Sequence, residues 1–70
     1  MKRTHPYLLT IGDKVRTIRK SKGIKIRDLG EMCNTDYANL SRFENGEVNI
    51  RLLTLKSVAD ALKVDLKDLL

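Results

Sequence analysis

The chemistry available in this 70-residue chain is carried by charge, not by reactive groups. Residues 1–27 hold nine lysines and arginines against a single acid, Asp13, a local excess of eight positive charges. Residues 28–70 hold five basic and eight acidic side chains, an excess of three negative charges. A basic first third on a small domain suits a polyanionic partner, and its alternative is a solvated, solubilising face. One cysteine and one histidine cannot build a disulfide framework or a metal cluster. Cys33 reads as a small core hydrophobe in a reducing compartment, and His5 is assigned no role. There is no nucleophile beside a base, no phosphate-cradling loop, and too little chain for an enclosed pocket. The expectation is therefore no enzyme, no cofactor and no metal.

Whatever meets a polyanion must be held by the elements around it, and the pattern is helical throughout. No stretch alternates long enough to be a strand. Residues 1–9 read as an N-terminal arm, because Pro6 and the polar start argue against a helix there. The folded domain is expected over 10–70. Helix 1 is expected after Thr10, with Asp13 three residues on as a weak capping box. Ile11, Val15 and Ile18 give it one apolar face, and Gly23 closes it in a left-handed conformation. Helix 2 is expected at about 25–33 with Leu29, Met32 and Cys33 inward, followed by a tight turn at Asn34-Thr35. Helix 3 is expected at about 36–45, capped by Asp36, with Leu40 and Phe43 inward and Asn45-Gly46 as its end. Helix 4, about 52–62, carries the stripe Leu52, Leu55, Val58, Ala59, Leu62. A short helix 5, about 66–70, is capped by Asp65. The fold class is all-α, a compact bundle of five short helices.

The connection between helices 2 and 3 carries the functional argument. Two helices packed steeply through a short turn need a small residue in the first, a turn-tolerant residue after it, and an apolar residue inside the second. Gly30, Asn34 and Leu40 occupy those places. Such a pair is a helix-turn-helix, which offers the second helix's N-terminal residues to the DNA major groove.

From Ile11 to Leu70 the chain resembles the lambda-repressor-like, Cro/C1-type (XRE) family. The resemblance rests on Ile11-Gly12-x-x-x-Arg16-x-x-Arg19-x-x-x-Gly23, on Leu29-x-x-x-Cys33-Asn34-Thr35-Asp36, and on Leu40-Ser41-Arg42-Phe43-Glu44-Asn45-Gly46. It continues through Leu55-x-x-Val58-Ala59-x-Ala61-Leu62-x-Val64-x-Leu66-x-x-Leu69-Leu70. It implies that helix 3 is a recognition helix, with Asp36, Tyr37, Ala38, Asn39 and Arg42 at base edges. Arg42 has the fork that pairs with guanine O6 and N7, and Asn39 the amide that pairs with adenine. Lys25, Arg27, Thr35, Asn45 and Arg51 fall where the DNA backbone is met, contacts that position without reading sequence. Arg19 and Glu44 match a pair that ties helix 1 to helix 3 as an internal salt bridge. The chain departs from the family at Ile26, where Gln is common; at Gly30, in place of Ala; at Glu47, where a basic residue is frequent; and at Ile50, in place of Pro.

The resemblance thus implies a sequence-specific regulator of transcription, a repressor, binding double-stranded DNA as a homodimer. Leu8, Leu9, Val48 and Ile50 lie outside the helical core stripes; with Leu69 or Leu70 they either form a dimer surface or cover the small core. The alternative is an antitoxin or interaction module of the same fold that binds a partner protein. Pro6-Tyr7-Leu8-Leu9 is too short for a signal-peptide core and no run could span a membrane, so a cytoplasmic location is expected.

Overall fold

His5 opens the first helix, five residues ahead of Thr10. In the computed structural model, which describes residues 5–70, α1 spans Pro6–Ser21. His5 is extended and its Nδ1 accepts from the Tyr7 amide at 3.1 Å. Proline at the first helical position loses nothing, because that amide has no partner in the helix and its φ is already helical. The expectation of an arm over 1–9 is therefore corrected at Pro6–Leu9, while Lys2 and Arg3 lie outside the described residues. Thr10 caps nothing. It sits inside α1 and donates its hydroxyl to the Pro6 carbonyl at 3.0 Å.

Then follow α2 (Ile26–Met32), α3 (Tyr37–Glu44), α4 (Leu52–Leu62) and a closing 3-10 turn (Leu66–Leu69) in place of a fifth α-helix. All four helices stop by the same device. One residue just past the helix turns left-handed: Gly23, Asn34, Gly46 and Lys63, with φ of 70°, 54°, 75° and 59°. Two amides then bond back across the last turn, as where Thr35 donates to Gly30 and Asn34 to Glu31, at 2.8 and 3.2 Å. This satisfies carbonyls that the helix leaves open and reverses the chain in two or three residues. The short connection from Met32 to Tyr37 is of the kind that joins the two helices of a helix-turn-helix.

Nine side chains form the core: Val15 from α1, Leu29 from α2, Leu40 and Phe43 from α3, Leu55, Val58, Ala59 and Leu62 from α4, and Leu69. Three expectations are corrected here. Met32 and Leu52 are 53% and 66% exposed: they are the last residue of α2 and the first of α4, at helix ends outside the core cluster. Leu69 is fully buried, so of the expected dimer residues only Leu9 and Leu70 keep large exposed areas. Leu8, Val48 and Ile50 are half-buried. Leu53, 81% exposed, is the most exposed large apolar side chain among the described residues.

Candidate nucleic-acid interface

α3 is the element that everything else positions. Its inward side chains, Leu40 and Phe43, are almost wholly buried, so the helix cannot rotate without emptying the core. That register turns Tyr37, Ala38, Asn39 and Arg42 outward, and all four are exposed. Asp36 ends the preceding turn and caps the helix, its Oδ1 accepting from the Ala38 amide at 3.3 Å. One carboxylate oxygen is thus engaged locally, and the other remains as an acceptor.

Two close approaches fix α3 against its neighbours. A Cβ on Gly30 would stand 2.8 Å from the Thr35 carbonyl oxygen and 3.0 Å from the Tyr37 Cβ. A Cβ on Gly12 would stand 2.5 Å from the Phe43 oxygen and 2.7 Å from that of Glu44. Contacts this short with backbone atoms leave no room for a side chain. Glycine at position 30 costs about 1 kcal/mol in helix propensity against alanine; what it gains is the close approach of α2 to the start of α3.

The end of α3 is tied to α1 by charge. Arg19 Nε donates to Glu44 Oε2 at 2.8 Å and Nη2 to Oε1 at 2.9 Å, while Nη1 donates to the Ile24 carbonyl at 2.9 Å. Both residues are buried, at 8% and 4% exposure. A buried carboxylate would be costly alone, but the two-pronged geometry meets both oxygens with charged donors. Among the described residues no buried side-chain nitrogen or oxygen is without a partner.

The residues expected at the DNA backbone fall in three places around the exposed face. Lys25, Arg27 and Tyr37 line one hollow at the start of α2, and the Arg27 guanidinium lies 5.4 Å from the centre of the Tyr37 ring. Thr35, Asn39 and Arg51 line a second hollow with Asn49 and Thr54, between α3 and the start of α4. Asn45 stands apart at the far end of α3, paired with Arg16. Thr35 spends its hydroxyl proton within the turn, donating to the Cys33 carbonyl at 3.2 Å. Ile26, which stands where the family commonly has Gln, is half-buried against the core, as is Ile50. Sequence reasoning names Arg16 only as a motif position and gives it no partner. It also passed over Asn49, which no local pattern marks because its place depends on the fold of the loop.

Cys33 is half-buried at the end of α2, and burial pushes its thiol above the ordinary value. A thiol held protonated in this way is a poor nucleophile and a poor metal ligand. Among the described residues there is no group of three or more His, Cys, Asp or Glu that could hold a metal, and no helix long and apolar enough to cross a membrane.

The helix-turn-helix family model HTH_3 matches residues 15–69. No curated protein matches the chain. Among solved structures, the restriction-modification controller protein C.AhdI from Aeromonas hydrophila superimposes with a TM-score of 0.91 at 24% identity, covering 94% of this chain and 100% of that one. The clp gene regulator ClgR from C. glutamicum gives 0.86 at 28% identity, covering 93% and 84%. SinR, described as the master regulator for biofilm formation and solved in complex with DNA, gives 0.78 at 30% identity, covering 84% and 95%. The first likeness is one of fold alone, whereas the matched family model and the SinR identity reach the sequence. With its closely packed α2 and α3 and its clamped, outward-facing third helix, the chain belongs to the Cro/C1-type (XRE) helix-turn-helix family of DNA-binding transcription regulators.

Proposed function

We propose that this chain is a sequence-specific transcriptional regulator that lays α3 in the major groove of double-stranded DNA and acts as a repressor in the cytoplasm, as a homodimer. The observation that carries the reading is the outer face of α3. Tyr37, Ala38, Asn39 and Arg42 are exposed on a helix whose rotation is fixed by Leu40 and Phe43. A fixed helix with a free polar face is what base reading requires. Lys25 and Arg27 at the start of α2, and Thr35, Arg51 and Asn45 around α3, would meet phosphates on either side. The basic α1 side of the domain would draw the duplex in. The DNA-bound state of SinR supports the same partner for this chain. Homodimerisation is supported by large apolar side chains left in water, Leu9, Leu53 and Leu70, which a second copy would cover.

The test is selection of bound duplexes from a random pool at near-physiological salt, repeated with two variants. The wild type should enrich a two-fold symmetric site with half-sites about one helical turn apart. Arg42→Ala should relax the preference at one base position of each half-site and cost about 1–3 kcal/mol. Lys25→Ala should weaken all sequences alike. No enrichment despite binding at low salt would refute specific reading. It would favour a module that meets a partner protein, such as an antitoxin. An Arg42→Ala profile identical to that of the wild type would show that α3 does not read bases in this register.

A further inference from the structure

Asn45 has an amide with two unlike ends, and only one of them suits DNA. A phosphate oxygen accepts hydrogen bonds and cannot donate them. Asn45 can therefore help hold a duplex only through Nδ2, with Oδ1 turned away. Free in solution, an exposed asparagine samples both orientations. Here Arg16 Nη2 donates to Asn45 Oδ1, across 29 positions of sequence. An arginine has no acceptor, so this bond fixes which end of the amide faces it.

Arg16 is itself held. Its Nε lies 3.7 Å from Glu44 Oε1, and the Glu44 side chain is only 3% exposed, whereas that of Arg16 is 35% exposed. Glu44 is fixed in turn by its two bonds from Arg19. The Arg16 fork therefore has one nitrogen facing a buried carboxylate and another on the carbonyl oxygen of Asn45. Its outer charge is partly spent on Glu44 before any phosphate arrives. The Asn45 backbone adds to the restraint, since its amide donates to the Ser41 and Arg42 carbonyls at 3.1 and 3.2 Å. The Asn45 backbone and the orientation of its amide are then both restrained.

We infer that Arg16 is a positioning residue for the DNA backbone contact. Anchored on buried Glu44, it holds Asn45 Oδ1 so that the Nδ2 protons face outward as ready-made donors to a phosphate. This rests on the DNA-binding reading above. Arg16 itself does not neutralise a phosphate in this role. The mechanism therefore differs from that of a lysine on the same helix, which would act as a simple counter-charge.

Salt dependence separates the two roles. Each phosphate neutralised by a basic side chain steepens the dependence of log K on log salt by about 0.9. A positioned neutral amide adds affinity without adding slope. The experiment measures duplex affinity at four salt concentrations for the wild type, Arg16→Gln, Arg16→Lys, Asn45→Ala and Arg16→Gln/Asn45→Ala. Each single variant should lose about tenfold in affinity, and the double no more than either, with the slope unchanged. Arg16→Lys should fare no better than Arg16→Gln, since an ammonium keeps the charge but lacks the fork that spans both partners.

A slope reduced by about 0.9 in Arg16→Gln, restored by Lys and multiplicative with Asn45→Ala, would overturn the inference and make Arg16 a phosphate contact. So would unchanged affinity in Arg16→Gln. The free protein gives a second readout. The Asn45 side-chain amide resonances should shift and sharpen towards those of a free asparagine in Arg16→Gln, while urea unfolding moves little because Arg19 keeps Glu44 paired. If those resonances do not move, Arg16 does not hold the amide. A wild-type chain that binds no duplex at any salt would instead sink the DNA reading, and the resonances would still report on the Arg16–Asn45 bond.

Discussion

Phe43 and Glu44, at the end of α3, are sealed into the protein, whereas Tyr37, Ala38 and Asn39, less than two turns earlier, stand in water. At the closed end Glu44 takes two hydrogen bonds from Arg19, and Gly12 of α1 lies directly under the Phe43 and Glu44 carbonyls. At the open end Arg27 of α2 lies over the Tyr37 ring, both exposed. The two ends meet opposite demands. A side chain that reads a base must arrive with its donors and acceptors unspent, so it cannot be locked into the protein's own network. It must also arrive at a fixed place, so the helix under it cannot wander. One helix satisfies both by dividing them between its faces and, Arg42 apart, along its length: Arg42 stands exposed on the outer face beside the closed end.

The sharpest way to break that division is to open the closed end. Arg19→Ala leaves Glu44 buried with only Arg16 near it, at 3.7 Å. Removing one partner of a buried pair costs about 3–5 kcal/mol. Domains hold about 0.05–0.15 kcal/mol per residue, so in a chain this short the loss approaches the whole stability. Urea unfolding should show it, and DNA binding should fail with the fold. A loss below about 1 kcal/mol would mean the pair behaves as a solvated surface bridge. α3 would then be held by apolar packing alone.

Gly12→Ala tests the same end by volume. The new Cβ would meet the Phe43 and Glu44 oxygens at 2.5 and 2.7 Å, and neither backbone atom can step aside without moving α1 from α3. The expected net loss is about 1–3 kcal/mol, even after the gain in helix propensity. Gly30→Ala at the α2–α3 crossing should cost less, since its tightest contact is 2.8 Å. Measured in the same urea titration, the reverse order would place the tighter clamp at the N-terminal end and undo the comparison.

What the sequence shows at both ends of α3 is what local chemistry announces. Leu40 and Phe43 recur at helical spacing because burial repeats with the helix turn, and Asp36 announces a cap because its carboxylate fits free amides. The left-handed residues Gly23, Asn34 and Gly46 marked three helix ends by their backbone tolerance. Lys63 did not, because a lysine in that conformation carries no signal of its own. The start of α1 was misread because proline is hostile to a helix everywhere except its first turn. Leu52 lies in the α4 stripe by spacing yet reaches past the core, because periodicity gives the face of a helix and not the extent of what covers it. Arg16 stands in the sequence as a motif position without a partner, because its partners come from the end of α3, and no local spacing announces a contact across 29 positions.

The smallest effect on stability should come from the open end, and it is the one that distinguishes an open end from a merely looser one. Arg27 over the Tyr37 ring at 5.4 Å is an exposed cation–π contact, worth about 0.5–1 kcal/mol. Arg27→Ala should therefore shift urea unfolding by less than about 1 kcal/mol. Tyr37→Phe, which keeps the ring face, should barely move it. On the proposed reading Arg27→Ala should nonetheless flatten the salt dependence of duplex binding by about 0.9, the signature of one lost phosphate contact. Tyr37→Leu should flatten it in part, because the guanidinium loses the ring that orients it. The pattern to look for is inverse to that of Arg19, where stability falls first and binding follows. If Arg27→Ala instead unfolds the domain as readily as Arg19→Ala, the start of α3 depends on this pair for its fold, and the division of labour along the helix does not hold. If it changes neither stability nor slope, the open end remains, but its charge lies elsewhere, with Lys25 the nearest candidate across the same hollow.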